Sequence, residues 1–233
     1  VIVEEAKGFK SSLTIVEGYQ VDRGYLSPYF VTDKNKMTAE FNNPLILMAD
    51  RNFNSVRELM KPLEIALEMG RPIVIIGNEI EGDAMQGLVL NRIKGSLRVA
   101  AIKSPGFGGA RHDLLLDLES IVGGKVLDSA FDMTAFNHEM FGTCKKIIIQ
   151  KSKTLIIREE EKTELSQERI DSIKEQLGYP GIGENESELL KYRLQQLSGG
   201  IAILRVGAAT ESELIERYDR VDDALHATRA ALE

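Results

Sequence analysis

The chain has 233 residues, 43% of them hydrophobic, which is enough to bury a substantial core and argues against a disordered protein. A formal net charge of -7 argues against a nucleic-acid or anionic-membrane partner, because the summed field would repel either one. No apolar run approaches the ~20 residues that span a bilayer. A single cysteine, Cys144, excludes an internal disulfide framework and fits a reducing compartment, where we expect it to be a small buried side chain.

The first distinctive segment in chain order is the run from Asp22 to Phe30, in which aromatic residues stand among turn-forming residues. Such a turn is expected to keep Tyr25, Tyr29 and Phe30 exposed. The alternative is a hairpin whose aromatic side chains fold back onto a core. If they are exposed, these aromatic side chains form an apolar surface that favours binding to other molecules.

From Leu45 onward, short apolar runs alternate with amphipathic stretches, a pattern typical of sheet strands joined by helices. Buried strands are predicted at residues 45–49, 73–76 and 97–102. Apolar residues recurring at helical spacing predict helices near 54–69 and 83–94. The sequence therefore predicts an α/β fold.

The second half of the chain continues this alternation. Thr210 and Glu213 have the spacing of a capping box that opens a long last helix. The other predicted elements are a helix ending at 123–124, a strand at 125–127, a hairpin of strands at 146–150 and 154–157, helices at 163–177 and 186–198, and a strand at 201–206.

The sequence contains few residues placed to bind a phosphate or a metal ion or to act in catalysis. The glycine loop at 105–109 could aim backbone amides at a phosphate, but it lacks the residues of a nucleotide motif, so a tight strand-to-helix connection is favoured. The histidines, His112, His138 and His226, are scattered and indicate no metal site. Asp222 and Asp223 are the one pair of carboxylates suited to acid-base work, with a solvated helix face as the alternative.

Several segments together resemble the group I chaperonins, the GroEL family. The resemblance extends from residue 16 to 233 and preserves the order of the motifs along the chain. It is carried by the segments 22–30, 82–85, 99–103, 105–108, 123–124, 206–211 and 221–231, together with Asn91.

The resemblance implies a domain organisation. Residues 18–199 are expected to form the apical domain, a sheet sandwich flanked by helices. Residues 1–17 and 200–233 are expected to be two segments of a second α/β domain, the intermediate domain. Gly18, Gly199 and Gly200 are predicted to form a hinge where the chain crosses between the domains, with plain turn glycines as the alternative. The resemblance implies that the ATP-binding equatorial domain is absent from these 233 residues, and the abrupt start at Val1 also favours an excised fragment, which we expect to be monomeric.

The resemblance also implies a binding surface. In the family, apolar residues on two helices and a nearby extended segment bind unfolded polypeptides, and the same groove accepts the mobile loop of a GroES-type co-chaperonin. Methionine at two of these positions keeps the surface apolar and adaptable. The matching residues are Tyr25, Ser27, Tyr29, Phe30, Met60, Leu63, Met85, Val89, Leu90 and Asn91.

Further roles follow from the same resemblance. Arg23 and Glu211 match a pair that joins neighbouring subunits of a homo-oligomeric ring, sevenfold in the family. Asp223 matches the carboxylate that promotes attack of water on ATP in the intact protein, where ATP and Mg²⁺ are the cofactors. No cofactor is expected in these 233 residues, which should be inactive as an ATPase.

The expected function is therefore that of a molecular chaperone in the cytoplasm or an organelle matrix, with non-native proteins as clients and no nucleic-acid or membrane partner. The rival interpretation is a free-standing α/β enzyme that uses the glycine loop, with Asp222 or Asp223, on a small phosphorylated ligand.

Overall fold

A computed structural model describes residues 2–6, 8–158 and 164–232 of the chain. The strands in these residues are β1 (Ile2–Glu5), β2 (Ser12–Val21), β3 (Ala39–Asn42), β4 (Leu45–Ala49), β5 (Asn52–Phe53), β6 (Ile73–Gly77), β7 (Glu79–Ile80), β8 (Val99–Lys103), β9 (Val126–Leu127), β10 (Gly142–Thr143), β11 (Lys146–Ile149), β12 (Thr154–Ile157) and β13 (Gly200–Val206). The α-helices are α1 (Met60–Glu68), α2 (Gly82–Ile93), α3 (Gly109–Val122), α4 (Glu164–Leu177), α5 (Glu184–Ser198) and α6 (Glu211–Leu232). The mixed α/β class predicted from the sequence is confirmed.

The chain divides into two compact units. One consists of Val1–Glu17 with Gly200–Glu233, and the other of Gly18–Gly199. The polypeptide leaves the first unit within β2 and returns to it at the start of β13. The identification of these units as intermediate and apical domains, and of the glycines as a hinge, stays a prediction.

The larger unit is built on a sheet with the strand order β10-β4-β6-β8, in which β4, β6 and β8 are parallel. Every residue of β4 and β6 is buried, which explains why both read as continuous apolar runs rather than as alternating patterns. Because parallel crossovers are right-handed, α1 and α2 lie on one face of this sheet and α3 lies on the other.

A second sheet in the larger unit is antiparallel. It places β11 between β3 and β12, and β12 pairs in turn with residues 18–21 of β2. The hairpin expected from the segments around 146 and 157 is therefore confirmed, with Ile147 opposite Ile156. Cys144, just before this hairpin, is buried as expected.

Three helices of the larger unit are joined by a buried ionic cluster. Asp117 on α3 is fully buried, and its two carboxylate oxygens lie 2.6 and 2.9 Å from Nε and Nη2 of Arg193 on α5. Arg169 on α4 donates from Nε to the same carboxylate at 2.7 Å. Because the carboxylate is satisfied by two guanidinium groups, the cluster fixes how α4 and α5 sit on α3.

The smaller unit pairs β1 in parallel with β13, and β13 antiparallel with residues 12–17 of β2. Helix α6 contacts β1 and β13 of this sheet, and the Tyr218 hydroxyl donates to the Val3 carbonyl oxygen at 3.2 Å. The helix opens as the sequence predicts, since Thr210 Oγ1 accepts from the Glu213 amide at 3.3 Å. The Glu213 carboxylate differs from the standard motif by accepting from the amide of Ala209 rather than of Thr210.

The predicted first helix differs from expectation in one respect. Its start is a separate 3₁₀ turn, Val56–Leu59, closed by a capping box between Ser55 and Glu58. The α-helical part begins at Met60, so that Pro62 falls in the first turn, where a missing amide hydrogen costs no helical hydrogen bond. The predicted start of the helix at residue 163 lies outside the described residues.

Candidate functional site

The aromatic segment forms a short 3₁₀ turn, Pro28–Phe30, capped by Ser27, whose hydroxyl accepts from the Tyr29 amide at 3.4 Å. Tyr29 is 65% exposed and Tyr25 is half-buried, but Phe30 is completely buried. The expectation that Phe30 is exposed is wrong. Successive residues of a 3₁₀ turn point about 120° apart, and here Tyr29 points to solvent while the Phe30 ring points into the core.

Helix α1 divides its apolar side chains between the core and solvent. Met60 is 51% exposed and Leu67 is 58% exposed, whereas Leu63 is only 9% exposed. The expectation that Leu63 lines an exposed groove is therefore wrong. Leu63 shares the inward stripe with Pro62 and Ala66, and the helical spacing places Met60 and Leu67 beside that stripe on the outer side.

Helix α2 is positioned by two close approaches. A Cβ atom on Gly87 would lie 2.5 Å from Cγ2 of Val56, so glycine permits α2 to contact the Val56–Leu59 turn. The Val56 amide also donates to the Asp83 carboxylate at 3.2 Å. Since α2 additionally contacts the Pro28–Phe30 turn, it brings the three predicted segments together.

The outward side of α2 exposes two apolar residues near its C-terminal end. Leu90 is 53% exposed and Ile93 is 61% exposed, while Met85 and Val89 are half-buried against the core. The Asn91 side-chain amide donates back to the Gly87 carbonyl oxygen at 2.9 Å and so is occupied within its own helix.

Five exposed apolar residues thus lie on neighbouring elements of one unit. We call this set the outer apolar surface, and it consists of Tyr29, Met60, Leu67, Leu90 and Ile93. Exposed apolar patches of this kind mark sites of protein interaction. Leu67 and Ile93 were not among the residues singled out from the sequence, although each helix has more apolar positions than one buried stripe requires.

Arg23 is held in place from several directions. Its guanidinium carbon lies 4.6 Å from the centroid of the Phe107 ring, and its carbonyl oxygen accepts from Thr154 Oγ1 at 2.7 Å. The preceding residue, Asp22, accepts from the Tyr192 hydroxyl at 2.5 Å, and partial burial together with this hydrogen bond raises the pKa of Tyr192. This segment is therefore tied to neighbouring elements through Thr154 and Tyr192.

The residues predicted in the smaller unit lie on α6. Glu211 is the exposed first residue of that helix. Asp223 is exposed, whereas Asp222 is half-buried and its carboxylate lies 3.5 Å from Nε2 of His226. The two carboxylates thus have different surroundings, with Asp223 the one open to an approaching group.

The glycine loop joins β8 to α3, which agrees with the strand-to-helix connection favoured from the sequence. Gly106 and Gly108 both have positive φ, and a Cβ on Gly106 would lie 2.7 Å from Cδ1 of Leu114. In the part of the chain that is described, no group of three or more potential ligands is placed to hold a metal ion.

The glycines predicted as a hinge lie where the chain passes between its units. Gly18 is a buried residue of β2, and Gly200 opens β13. A Cβ on Gly199 would lie 2.8 Å from the carbonyl oxygen of Gln195, so the end of α5 requires a glycine there.

None of the helices in the described residues is both long and apolar enough to cross a lipid bilayer. Comparison with known protein families gives one match that covers the chain from end to end. The family is described as the TCP-1/cpn60 chaperonin family, and its model matches residues 1–233.

Proposed function

Because the chain belongs to the TCP-1/cpn60 chaperonin family, we propose that its larger unit is a group I apical domain that captures non-native polypeptides. Membership of the family supports a chaperone role in general. The outer apolar surface is the single observation that carries the more specific proposal. It exposes Tyr29, Met60, Leu67, Leu90 and Ile93 on α1, α2 and the Pro28–Phe30 turn, and α2 contacts both that turn and the Val56–Leu59 turn that leads into α1.

The chemistry of this surface suits clients of varied sequence. Its side chains are aliphatic, thioether or aromatic, so they favour apolar segments without requiring a particular hydrogen-bond pattern. Met60 adds an unbranched side chain that can adapt to differently shaped partners. Each apolar side chain buried by a client contributes roughly 1.5 to 3 kcal/mol before the cost of ordering the client.

The burial of two predicted contact residues changes their role in this proposal. Phe30 and Leu63 support the surface from beneath, where Phe30 anchors the turn that carries Tyr29 and Leu63 anchors α1. Met85 and Val89, which are half-buried, form the inner edge of the surface. Direct contact with a client then falls mainly on the five residues of the outer apolar surface.

In the intact protein we propose a homo-oligomeric ring, sevenfold as in group I chaperonins. A GroES-type co-chaperonin loop then occupies the same surface as the client. Arg23 contacts Glu211 of a neighbouring subunit, and an equatorial domain outside this chain holds ATP and Mg²⁺. The placement of Arg23 beside Phe107, with its backbone held by Thr154, supports the contact between subunits.

The test is capture of a chemically unfolded protein by the 233-residue chain in the absence of nucleotide. Leu67→Glu and Ile93→Glu should each weaken capture at least tenfold, because a charge must then be desolvated at the contact. Both side chains are more than half exposed, so the fold should survive.

Leu165→Glu is the matched control, since Leu165 is 64% exposed on α4, away from the outer apolar surface. Capture by this variant should equal that of the unchanged chain. Equal capture by all four proteins, each with an unchanged circular dichroism spectrum, would contradict the proposal.

A further inference from the structure

A depression that the proposed function does not use lies on another side of α1. It is open to solvent and has a volume of about 410 Å³ between α1 and the segment that contains the 3₁₀ turns Met133–Ala135 and His138–Met140. Its lining includes Lys61, Ile65, Glu68, Met69, Phe136 and His138, and we call it the flank groove. At ~100° per residue, Ile65 stands about 140° around the helix from Met60, so the groove is separate from the outer apolar surface.

Apolar residues form part of the flank groove, and Phe136 supports it from beneath. Phe136 is 2% exposed and meets the ring of Phe141 edge-on, with 4.8 Å between the ring centroids. Ile65 is half-buried, and Met69, 43% exposed, provides an adaptable rim. The volume lies within the range of about 300–1,000 Å³ that is typical of ligand pockets, so the groove can receive a large apolar side chain.

Two charged residues lie toward opposite ends of this groove. Lys61 and Glu68 are seven positions apart on one side of α1, which places them about 10 Å apart along the helix axis. In the described part of the chain neither side chain has an ion-pair or hydrogen-bond partner.

Helix stability does not account for these charges. A cation in the first turn and an anion in the last turn both oppose the helix dipole, and each costs about 0.3–1 kcal/mol at an exposed position. The two charges are therefore free to act on a partner that carries the opposite charges.

We propose that the flank groove is a second peptide site, which takes an extended segment with a large apolar side chain between an acidic and a basic residue. An extended chain rises about 3.3 Å per residue, so roughly three residues cover the distance between Lys61 and Glu68. The acidic residue of the segment pairs with Lys61, the basic residue pairs with Glu68, and the apolar side chain lies against Ile65 and Met69. The site adds charge selectivity to a chain whose outer apolar surface has none.

The experiment uses three labelled peptides, blocked at both ends, that share a central Leu-Phe and differ only in the flanking charges. One peptide has Asp on one side and Lys on the other, one has Asp on both sides, and one has Lys on both sides. Fluorescence anisotropy against the 233-residue chain should show the tightest binding for the mixed peptide. Lys61→Glu should shift the preference to the peptide with two Lys, and Glu68→Lys to the peptide with two Asp, each by about fivefold.

Ile93→Glu separates the flank groove from the outer apolar surface. This variant should lose capture of unfolded protein, as proposed above, but keep the affinity and the charge preference of the peptides. An identical order of peptide affinities in the unchanged chain, Lys61→Glu and Glu68→Lys would overturn the flank-groove site and leave the proposed function standing. Loss of mixed-peptide binding in Ile93→Glu would also overturn it, because the peptide would then lie on the outer apolar surface.

Discussion

At the scale of single residues, the buried cluster around Asp117 shows how a charged group can fix the packing of three helices. A buried carboxylate is costly unless it is both paired and hydrogen-bonded, and here Arg193 and Arg169 provide both. Arg193 is itself 4% exposed, and its pKa rises through its contacts with Asp117 despite the opposing effect of burial. Removing one member of the pair Asp117 and Arg193 should therefore lower the free energy of unfolding more than removing both members.

We predict that Arg193→Met lowers the free energy of unfolding by about 3 kcal/mol, because the Asp117 carboxylate keeps only Arg169 as a partner. The double variant Asp117→Leu with Arg193→Met should recover most of that loss, since no buried charge remains at these two positions. Urea denaturation measures both values. Lys174→Met is the control, because Lys174 makes an exposed ion pair with Asp171 that is worth about 0–1 kcal/mol.

At this scale, the exposure of a side chain can be predicted only where the spacing of apolar residues indicates its direction. The half-buried and exposed positions of α1 follow from helical periodicity, but Leu63 lies at the edge of the buried stripe, where a small rotation decides its exposure. The predicted exposure of Phe30 is wrong because the 3₁₀ geometry of its turn is not visible in the sequence. The Asp117 cluster joins residues far apart in the chain, and no local sequence pattern predicts it.

At the scale of elements, the sequence predicted the strands and helices well because their apolar runs and periodicities are strong and their ends carry glycine, proline or caps. The resemblance to the group I chaperonins then suggested which helices form a binding surface. What the sequence could not provide is the distance between elements. The close approach of α2 to the Val56–Leu59 turn depends on a missing side chain at Gly87, and that approach is a property of the packed structure.

This close approach gives a prediction for Gly87→Ala. Alanine should favour the helix by about 1 kcal/mol, but its Cβ would lie 2.5 Å from Cγ2 and 3.0 Å from Cβ of Val56, so α2 has to move. We expect a net loss of about 1–2 kcal/mol in stability, together with weaker capture of unfolded protein. Thermal denaturation and the capture assay measure the two effects.

Val56→Ala provides the rescue, because it removes the methyl groups that the new Cβ meets. The double variant Gly87→Ala with Val56→Ala should be more stable than the sum of the two single effects predicts. Strict additivity in this cycle would show that the contact at Gly87 does not position α2.

At the scale of the whole molecule, the division at residues 17/18 and 199/200 means that one part of the chain is inserted into another. The glycines predicted as a hinge, Gly18, Gly199 and Gly200, lie at this division. Within the smaller unit, Arg217 donates to the carbonyl oxygen of Gly207 at 3.0 Å, and Tyr218 holds β1. Helix α6 is therefore fixed to its own sheet and should move with it as one body.

The role proposed for Asp223 is tested at this scale, in the proposed ring, which includes a proposed nucleotide-binding domain. Asp223 is exposed on α6 and so can meet a nucleotide brought to it, whereas Asp222 lies beside His226. A positioned carboxylate that assists proton transfer contributes about 10²- to 10⁴-fold. Asp223→Ala should therefore bind ATP with near-normal affinity but hydrolyse it far more slowly, and Asp222→Ala should change the rate much less. Single-turnover hydrolysis by Asp223→Ala at the unchanged rate, or a larger loss in Asp222→Ala, would remove Asp223 from the reaction.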